Sequence, residues 1–388
     1  MLYLPEVFLY AFYNTKDYLV RSVQDVMKAV SSRTTIPILT GIKVVATEEG
    51  VTLTGSDADI SIESFIPVEE NGKEIVEVNQ SGSIVLQAKY FSEIVKKLPK
   101  ETVEISVENH LMTKITSGKS EFNLNGLDSA EYPLLPQIEE HHVFKIPTDL
   151  LKHMIRQTVF AVSTSETRPI LTGVNWKVYN SELTGIATDS HRLALRKAKI
   201  EGIADEFQAN VVIPGKSLNE LSKILDESEE MVDIVITEYQ VLFRTKHLLF
   251  FSRLLEGNYP DTTRLIPAES KTDIFVNTKE FLQAIDRASL LARDGRNNVV
   301  KLSTLEQAML EISSNSPEIG KVVEEVQCEK VDGEELKISF SAKYMMDALK
   351  ALDSTEIKIS FTGAMRPFLI RTVNDESIIQ LILPVRTY

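Results

Sequence analysis

The chain has 388 residues, 43% hydrophobic and 25% charged, with a formal net charge of −14 and one cysteine. This is the composition of a soluble globular protein. The lone Cys328 excludes a disulfide framework and fits a reducing compartment, no apolar run reaches a membrane span, and the acidic balance argues against a generally adhesive nucleic-acid binder without saying where the basic residues sit.

The start, "MLYLPEVFLYAFYN", is apolar and aromatic, but it lacks a basic leader and is broken by Pro5 and Glu6. A signal peptide is therefore not expected, and a cytoplasmic location is. A helix is predicted in "TKDYLVRSVQDVMKAV", followed by "TIPILTGIKV" and alternating strands such as "VTLTGSDADISIESFI". A second helix is predicted in "IVLQAKYFSEIVKKL", and more strands lead to "EYPLLP". His141 and His142 follow; neighbouring side chains of an extended segment point to opposite sides, and no further ligand is suitably spaced, so no metal is expected.

The pattern then begins again. In "PTDLLKHMIRQTVFAV" the residues Leu150, Leu151, Met154, Ile155, Thr158 and Val159 make a helical stripe, and Phe281, Leu282, Ile285 and Ala288 do so in "NTKEFLQAIDRASLLA". Thr148 and Thr278 are the expected N-caps. "TRPILTGVNW" repeats the earlier Pro-Ile-Leu-Thr-Gly, and "ATDSHRL" follows. Asp189, Ser190 and His191 are the letters of a hydrolase triad, but adjacent residues cannot converge on one point. The same place in the first copy reads Asp57-Ala58-Asp59, so the plain reading is a turn in which the aspartate caps backbone amides. No Gly-rich phosphate loop is present, so neither ATP hydrolysis nor a cofactor is expected.

The copies keep a long period. Ile38 and Ile170, and Asp57 and Asp189, are 132 residues apart; Lys89, Lys216 and Lys343 are spaced by 127. Such self-similarity marks repeated domain-sized units. Seams near "LPQIEEHHVFKIP" and "IPAESKTDIFVN" divide the chain into 1–140, 141–268 and 269–388, each an α+β unit of two helices against antiparallel strands.

The second helix of each unit carries a pair of lysines seven apart: Lys89 and Lys96, Lys216 and Lys223, Lys343 and Lys350. Seven residues is nearly two turns, so each pair shares a face, while Phe91, Ile94 and Leu98 lie about 140–200° away from Lys89. Leu218, Leu221 and Leu225, and Met345, Leu349 and Leu352, repeat this. A basic face repeated three times on an acidic protein suggests a surface for a polyanion. From these residues alone, a non-catalytic triplicated scaffold or a degenerate enzyme with a basic helix face remains an alternative.

Those repeats, with "ATDSHRLAL", "FFSRLLEGNYPD", "NNVVKL", "GAMRPFLI" and the terminal "LILPVR", resemble the beta subunit of bacterial replicative DNA polymerase, the beta sliding clamps, in their Gram-positive form. The likeness runs from about Tyr13 to Tyr388; family members begin just before the Lys16–Asp17 position, so Met1–Phe12 is expected to be an extension or an alternative start. The resemblance implies three domains of one fold, with helices lining a ring and sheets outside. It implies a head-to-tail homodimer around duplex DNA that confers processivity on the polymerase without being an enzyme itself. By the same resemblance Phe122 and Leu124 meet Leu290 and Leu291 between protomers. Arg33 matches a DNA-contacting position, Arg168 stands likewise just before the repeated Pro-Ile-Leu, and Arg293 and Arg296 are third-repeat candidates. A pocket for short peptides of the polymerase, the clamp loader and repair proteins is implied at Leu171, Thr188, Ser190, His191, Arg192 and Leu193, with Pro260, Arg264 and Leu265, with Met365 and Pro367, and with Leu383, Pro384, Val385 and Arg386.

Overall fold

The structure is a computed structural model. It describes residues 9–13, 15–31, 34–57, 59–108, 111–135, 138, 143–200, 207–226, 231–292 and 298–386. Arg33, His141, His142, Arg293 and Arg296 lie outside them.

Among the described residues there are six α-helices, two from each repeat: α1 (Lys16–Val26), α2 (Ala88–Lys97), α3 (Thr148–Thr158), α4 (Gly215–Ile224), α5 (Thr278–Ser289) and α6 (Ala342–Ala351). Their apolar stripes are buried as the spacing requires: Leu151, Met154 and Ile155 on α3, and Phe281, Ala284, Ile285 and Ala288 on α5. Neither expected cap stands at the cap position; both threonines lie within the first turn of their helix. Asn277 caps α5, its amide oxygen accepting from the backbone N–H of Lys279 and Glu280 at 3.1 Å each, while Thr278 is buried in the first turn. Thr148 likewise lies inside α3 and is buried. The capping oxygen must stand outside the first turn to reach its free amides, and the threonines are already within it.

The chain packs as two compact units, residues 1–148 with 223–253, and residues 149–222 with 254–388. The first holds a five-stranded sheet and an eight-stranded sheet; the second holds a nine-stranded and a four-stranded sheet, all antiparallel. Strand Leu9–Tyr13 sits inside the five-stranded sheet, between Val103–Val107 and Val76–Gln80, with Ala11 and Tyr13 buried. Residues 10–12 pair on both sides and Leu9 with Val107, so this part of the expected extension belongs to the sheet, while residues 1–8 lie outside the described residues.

The duplicated Pro-Ile-Leu-Thr-Gly now has a structural reason. Pro37–Thr40 and Pro169–Thr172 are both short 3₁₀ turns, and Thr40 and Thr172 each donate a hydroxyl hydrogen bond to the carbonyl of Pro37 (2.8 Å) and Pro169 (2.7 Å) respectively. Leu39 and Leu171 point into the core. The glycine follows because the next strand passes too close for a side chain: a Cβ at Gly41 would come 2.5 Å from Val85 Cγ1, and one at Gly173 2.6 Å from Val212 Cγ1.

Candidate functional site

Three features stand apart from ordinary packing: the lysine-bearing helices, an apolar sheet face in the second unit, and the repeat boundaries.

The six paired lysines, Lys89 and Lys96 on α2, Lys216 and Lys223 on α4, and Lys343 and Lys350 on α6, are exposed, and the opposite faces are buried through Phe91 and Leu98, Leu218, Leu221 and Leu225, and Met345, Leu349 and Leu352, with Ile94 half-buried. Burial of each such side chain stabilises the helix position by about 1.5–3 kcal/mol, which fixes which face is left for the lysines. Lys97 on the last turn of α2 is held by Glu93 at 3.0 Å, whereas Lys89 lies beside the exposed Tyr90, its ammonium 5.6 Å from the ring centre. Arg168 is exposed, directly before the second 3₁₀ turn.

The apolar sheet face is built by cross-strand pairing. Leu193 stands opposite Leu381, which stands opposite Leu369; Leu195 stands opposite Ile379 on one side and Ile186 on the other. These alternate positions share one face, and Tyr259, Ile266, Ile379 and Leu383 pack on the cluster as partly buried groups. Of the residues expected from sequence, it brings Leu193 and Leu383 together. Ile186, Leu195, Leu369, Leu381, Tyr259 and Ile266 were not anticipated, although the period-two apolar pattern of Leu193 and Leu195, and of Ile379 and Leu381, was there to be read. Leu171 is buried elsewhere in the core. Pro260, Arg264, Leu265, Met365 and Arg386 are exposed, and Pro367, Pro384 and Val385 are partly buried.

The turn at Thr188–Leu193 shapes one side of this face. Asp189 Oδ1 accepts from the backbone N–H of His191 (2.9 Å) and Arg192 (3.0 Å), just as Asp57 Oδ1 accepts from Asp59 and Ile60 in the first repeat. Ser190 takes a positive φ of 75° to close the turn and donates its N–H to Thr188 Oγ1. Thr188 donates its own N–H to the Tyr259 hydroxyl at 3.0 Å, and burial raises that phenol's pKa. Leu383 is fixed by its N–H donating to the His191 carbonyl (2.9 Å), and Val385 by its N–H donating to the Ser339 carbonyl (2.7 Å). Arg192 does not reach an open rim. It is 8% exposed and its guanidinium donates to Asp189 (3.0 Å), Asp347 (2.7 Å) and the Phe160 carbonyl (2.6 Å).

Repeat boundaries are crossed by continuous sheet. In the first unit Leu249 pairs with Glu63 and Phe251 with Ser61; in the second Ile379 pairs with Leu195 and Leu381 with Leu193. Glu63 to Leu195 and Ser61 to Leu193 are both the 132-residue step, so the two seams have one register. Two strands of the kinds used at these seams pair on one side only: Ser120–Asn125 at the edge of the five-stranded sheet and Gly320–Gln327 at the edge of the four-stranded sheet.

A cleft of about 460 Å³ lies beside the first unit's seam, lined by Arg21, Asp25, Glu70, Asp226 and His247 among others. Glu70 accepts from Lys246 (2.8 Å) and the Tyr18 hydroxyl (3.0 Å), with His247 Nε2 2.7 Å away; the bonds from Lys246 and His247 hold its pKa down to about 2. Burial pushes the Asp25 carboxyl up to about 6 against the opposing charges of Arg21 and Lys28. The second unit has a smaller cleft of about 370 Å³ with His153, Gln157 and Asp353 at the positions equivalent to Arg21, Asp25 and Asp226, and Arg196 also in its lining.

Models of the DNA polymerase III beta subunit match the chain in order: N-terminal domain at residues 10–136, central domain at 145–261 and C-terminal domain at 263–386. The chain belongs to the DNA polymerase III beta-subunit family, the beta sliding clamps. It is 74% identical to the beta sliding clamp of Bacillus subtilis over 373 residues, 96% of this chain and 98% of that one. It is 60% identical to the beta sliding clamp of Halalkalibacterium halodurans over 374 residues, again 96% and 98%. The crystal structure of the B. subtilis polymerase sliding clamp superposes with a TM-score of 0.94 at 73% identity, over 98% of this chain and all of that one. A sliding clamp of Pseudomonas aeruginosa solved with griselimycin bound has a TM-score of 0.90 at 25% identity, covering 98% of this chain and 100% of that one. The fold is thus that of the family, three clamp domains of paired helices and antiparallel sheet, and the family's role is that of a non-catalytic processivity factor in DNA replication. Among the described residues no helix is long and apolar enough to cross a membrane.

Proposed function

We propose that two copies of this chain, each divided into domains at 1–140, 141–268 and 269–388, close head to tail into a ring around duplex DNA. The ring tethers the replicative polymerase, and its function is topological. The observation that carries this reading is the repeated seam with its two leftover strands. Pairing Ser120–Asn125 of one copy with Gly320–Gln327 of another makes a third seam of the same kind at each end, removes both open edges and closes the assembly. The register is fixed by the internal repeats. Ile186 pairs with Leu195, and its third-repeat counterpart Ser313 pairs with Val323; Phe122 is the counterpart of Leu249. The shared register therefore sets Phe122 opposite Val323, with Leu124 beside it and Leu290 and Leu291 flanking.

The lysine faces of α2, α4 and α6, with Arg33, Arg168, Arg293 and Arg296, supply diffuse phosphate attraction that holds DNA without choosing a sequence and so permits sliding. The acidic remainder keeps DNA off the other surfaces. The apolar face around Leu193, Leu381 and Leu383 suits aliphatic or aromatic anchors of short peptides from polymerase, clamp loader and repair proteins, with His191 and Arg264 on the polar rim. The protein works in the cytoplasm, and ring opening is left to an external loader.

The test is retention on DNA. After loading, the protein stays on a closed circle and is lost when the circle is linearised. Equal loss from both forms defeats the topological reading.

A further inference from the structure

We propose that Tyr90 of one copy packs on Ile319 and Leu290 of a second copy, an apolar latch beside the paired edge strands. The proposal rests on the head-to-tail reading above, which already brings Leu290 to the interface, and adds Tyr90 and Ile319, which that reading does not require.

The seam inside the second unit supplies the template. Tyr344 of α6, in the third repeat, stacks on His191 of the second repeat with ring centres 6.4 Å apart and planes 19° from parallel. Its ring also covers the Arg192 guanidinium at 4.5 Å, and Phe160 covers the same group at 5.3 Å. An aromatic one residue after the first lysine of the helix thus reaches across the seam and does not follow the lysines.

Each member of this cluster has a counterpart at the open edges. Tyr90 follows Lys89 as Tyr344 follows Lys343. Ile319 precedes Val323 by four residues as His191 precedes Leu195. Leu290 follows Thr278 by twelve residues as Phe160 follows Thr148. The three counterparts are 53%, 52% and 55% exposed, whereas Tyr344 and Phe160 are partly buried in the seam that is already made. The edge strands add Phe122 and Val323, also exposed. Large apolar side chains gathered at two unpaired edges mark surface that another body covers. The helix alone does not call for the aromatic, because the second repeat carries Ser217 in its place.

The chemistry of the latch also follows. Arg192 has Gly320 as its counterpart, so no guanidinium lies between the groups. The Tyr90 ring meets Ile319 and Leu290 directly, and the latch is apolar.

Self-association of the full chain is measured by sedimentation, with Phe122→Glu as the control for the interface itself. Tyr90→Glu should raise the dimer dissociation constant at least tenfold, and adding Ile319→Lys should recover most of that loss. Under oxidation, Tyr90→Cys with Ile319→Cys in one chain should give a covalent species of twice the mass, and neither single variant should. If Phe122→Glu dissociates the protein while Tyr90→Glu associates like wild type and the double cysteine chain does not cross-link, the latch is wrong and the ring reading stands. A wild-type protein that is monomeric at micromolar concentration overturns both. Loss of DNA retention by Tyr90→Glu with an unchanged dimer would assign the tyrosine to DNA and overturn the latch.

Discussion

Replacing Arg192 by alanine tests whether this residue supports the site from below or recognises a partner. The change removes ion pairs to Asp189 at 3.0 Å and Asp347 at 2.7 Å, a hydrogen bond to the Phe160 carbonyl, and two ring contacts. Removing one partner of a buried pair costs about 3–5 kcal/mol. Asp347 is 30% exposed and regains water, and Asp189 keeps its two backbone amides, so the lower end applies. The ring contacts add about 0.5–1 kcal/mol. The expected loss is about 3.5–4 kcal/mol, or roughly a 1.2–1.3 M fall in the urea midpoint for a slope near 3 kcal/mol/M. Trp176 is the only tryptophan and is buried in the second unit, so its fluorescence follows that unit without assuming that the whole chain unfolds at once. Arg192→Met with Asp347→Leu should recover most of the loss, since apolar groups of similar size replace a buried pair at little cost. A midpoint unchanged from wild type for Arg192→Ala, with partner peptides bound more weakly, would show that the guanidinium serves recognition instead.

Leu383→Ala should weaken binding of different partner peptides together, by about 2 kcal/mol each, while the Trp176 midpoint and the dimer stay as they are; two peptides that bind one protomer at once with full affinity would refute a shared face. Lys89→Ala, Lys216→Ala and Lys343→Ala combined should flatten the dependence of log K on log salt for duplex DNA by about 0.9 for each phosphate no longer neutralised, with no change in sequence preference, and a wild-type slope would count against a basic lining. Asp25→Asn should stabilise the first unit at pH 7.5. The folded pKa of about 6 lies above the ordinary aspartate value, so the carboxyl's contribution is full below about 3.9 and is lost as pH rises through 6. Partial exposure of the side chain limits the gain to about 1–2 kcal/mol, which thermal unfolding should find shrinking below pH 6; a difference independent of pH would contradict the burial argument.

The sequence alone determined the threefold repeat, the helices and the face each helix buries. These depend on local periods, and Lys89 and Lys96 share a face whatever else the chain does. It also allowed the Asp189 turn to be read as backbone capping, since an aspartate two and three residues from free amides needs no distant partner. The cap of α5 was misplaced by one residue because Asn277 and Thr278 are both good caps, and only the point where the strand ends selects between them. Residues 9–12 were legible as apolar but not as a strand, because their partners lie more than 60 residues away. Tertiary structure alone decided that Leu193, Leu369 and Leu381 form one surface, and that Arg192 turns inward to Asp347, 155 residues along the chain. Side chains so far apart in sequence meet only through the register of paired strands, and a single sequence states which residues are apolar or charged but not which of them the sheets set opposite one another.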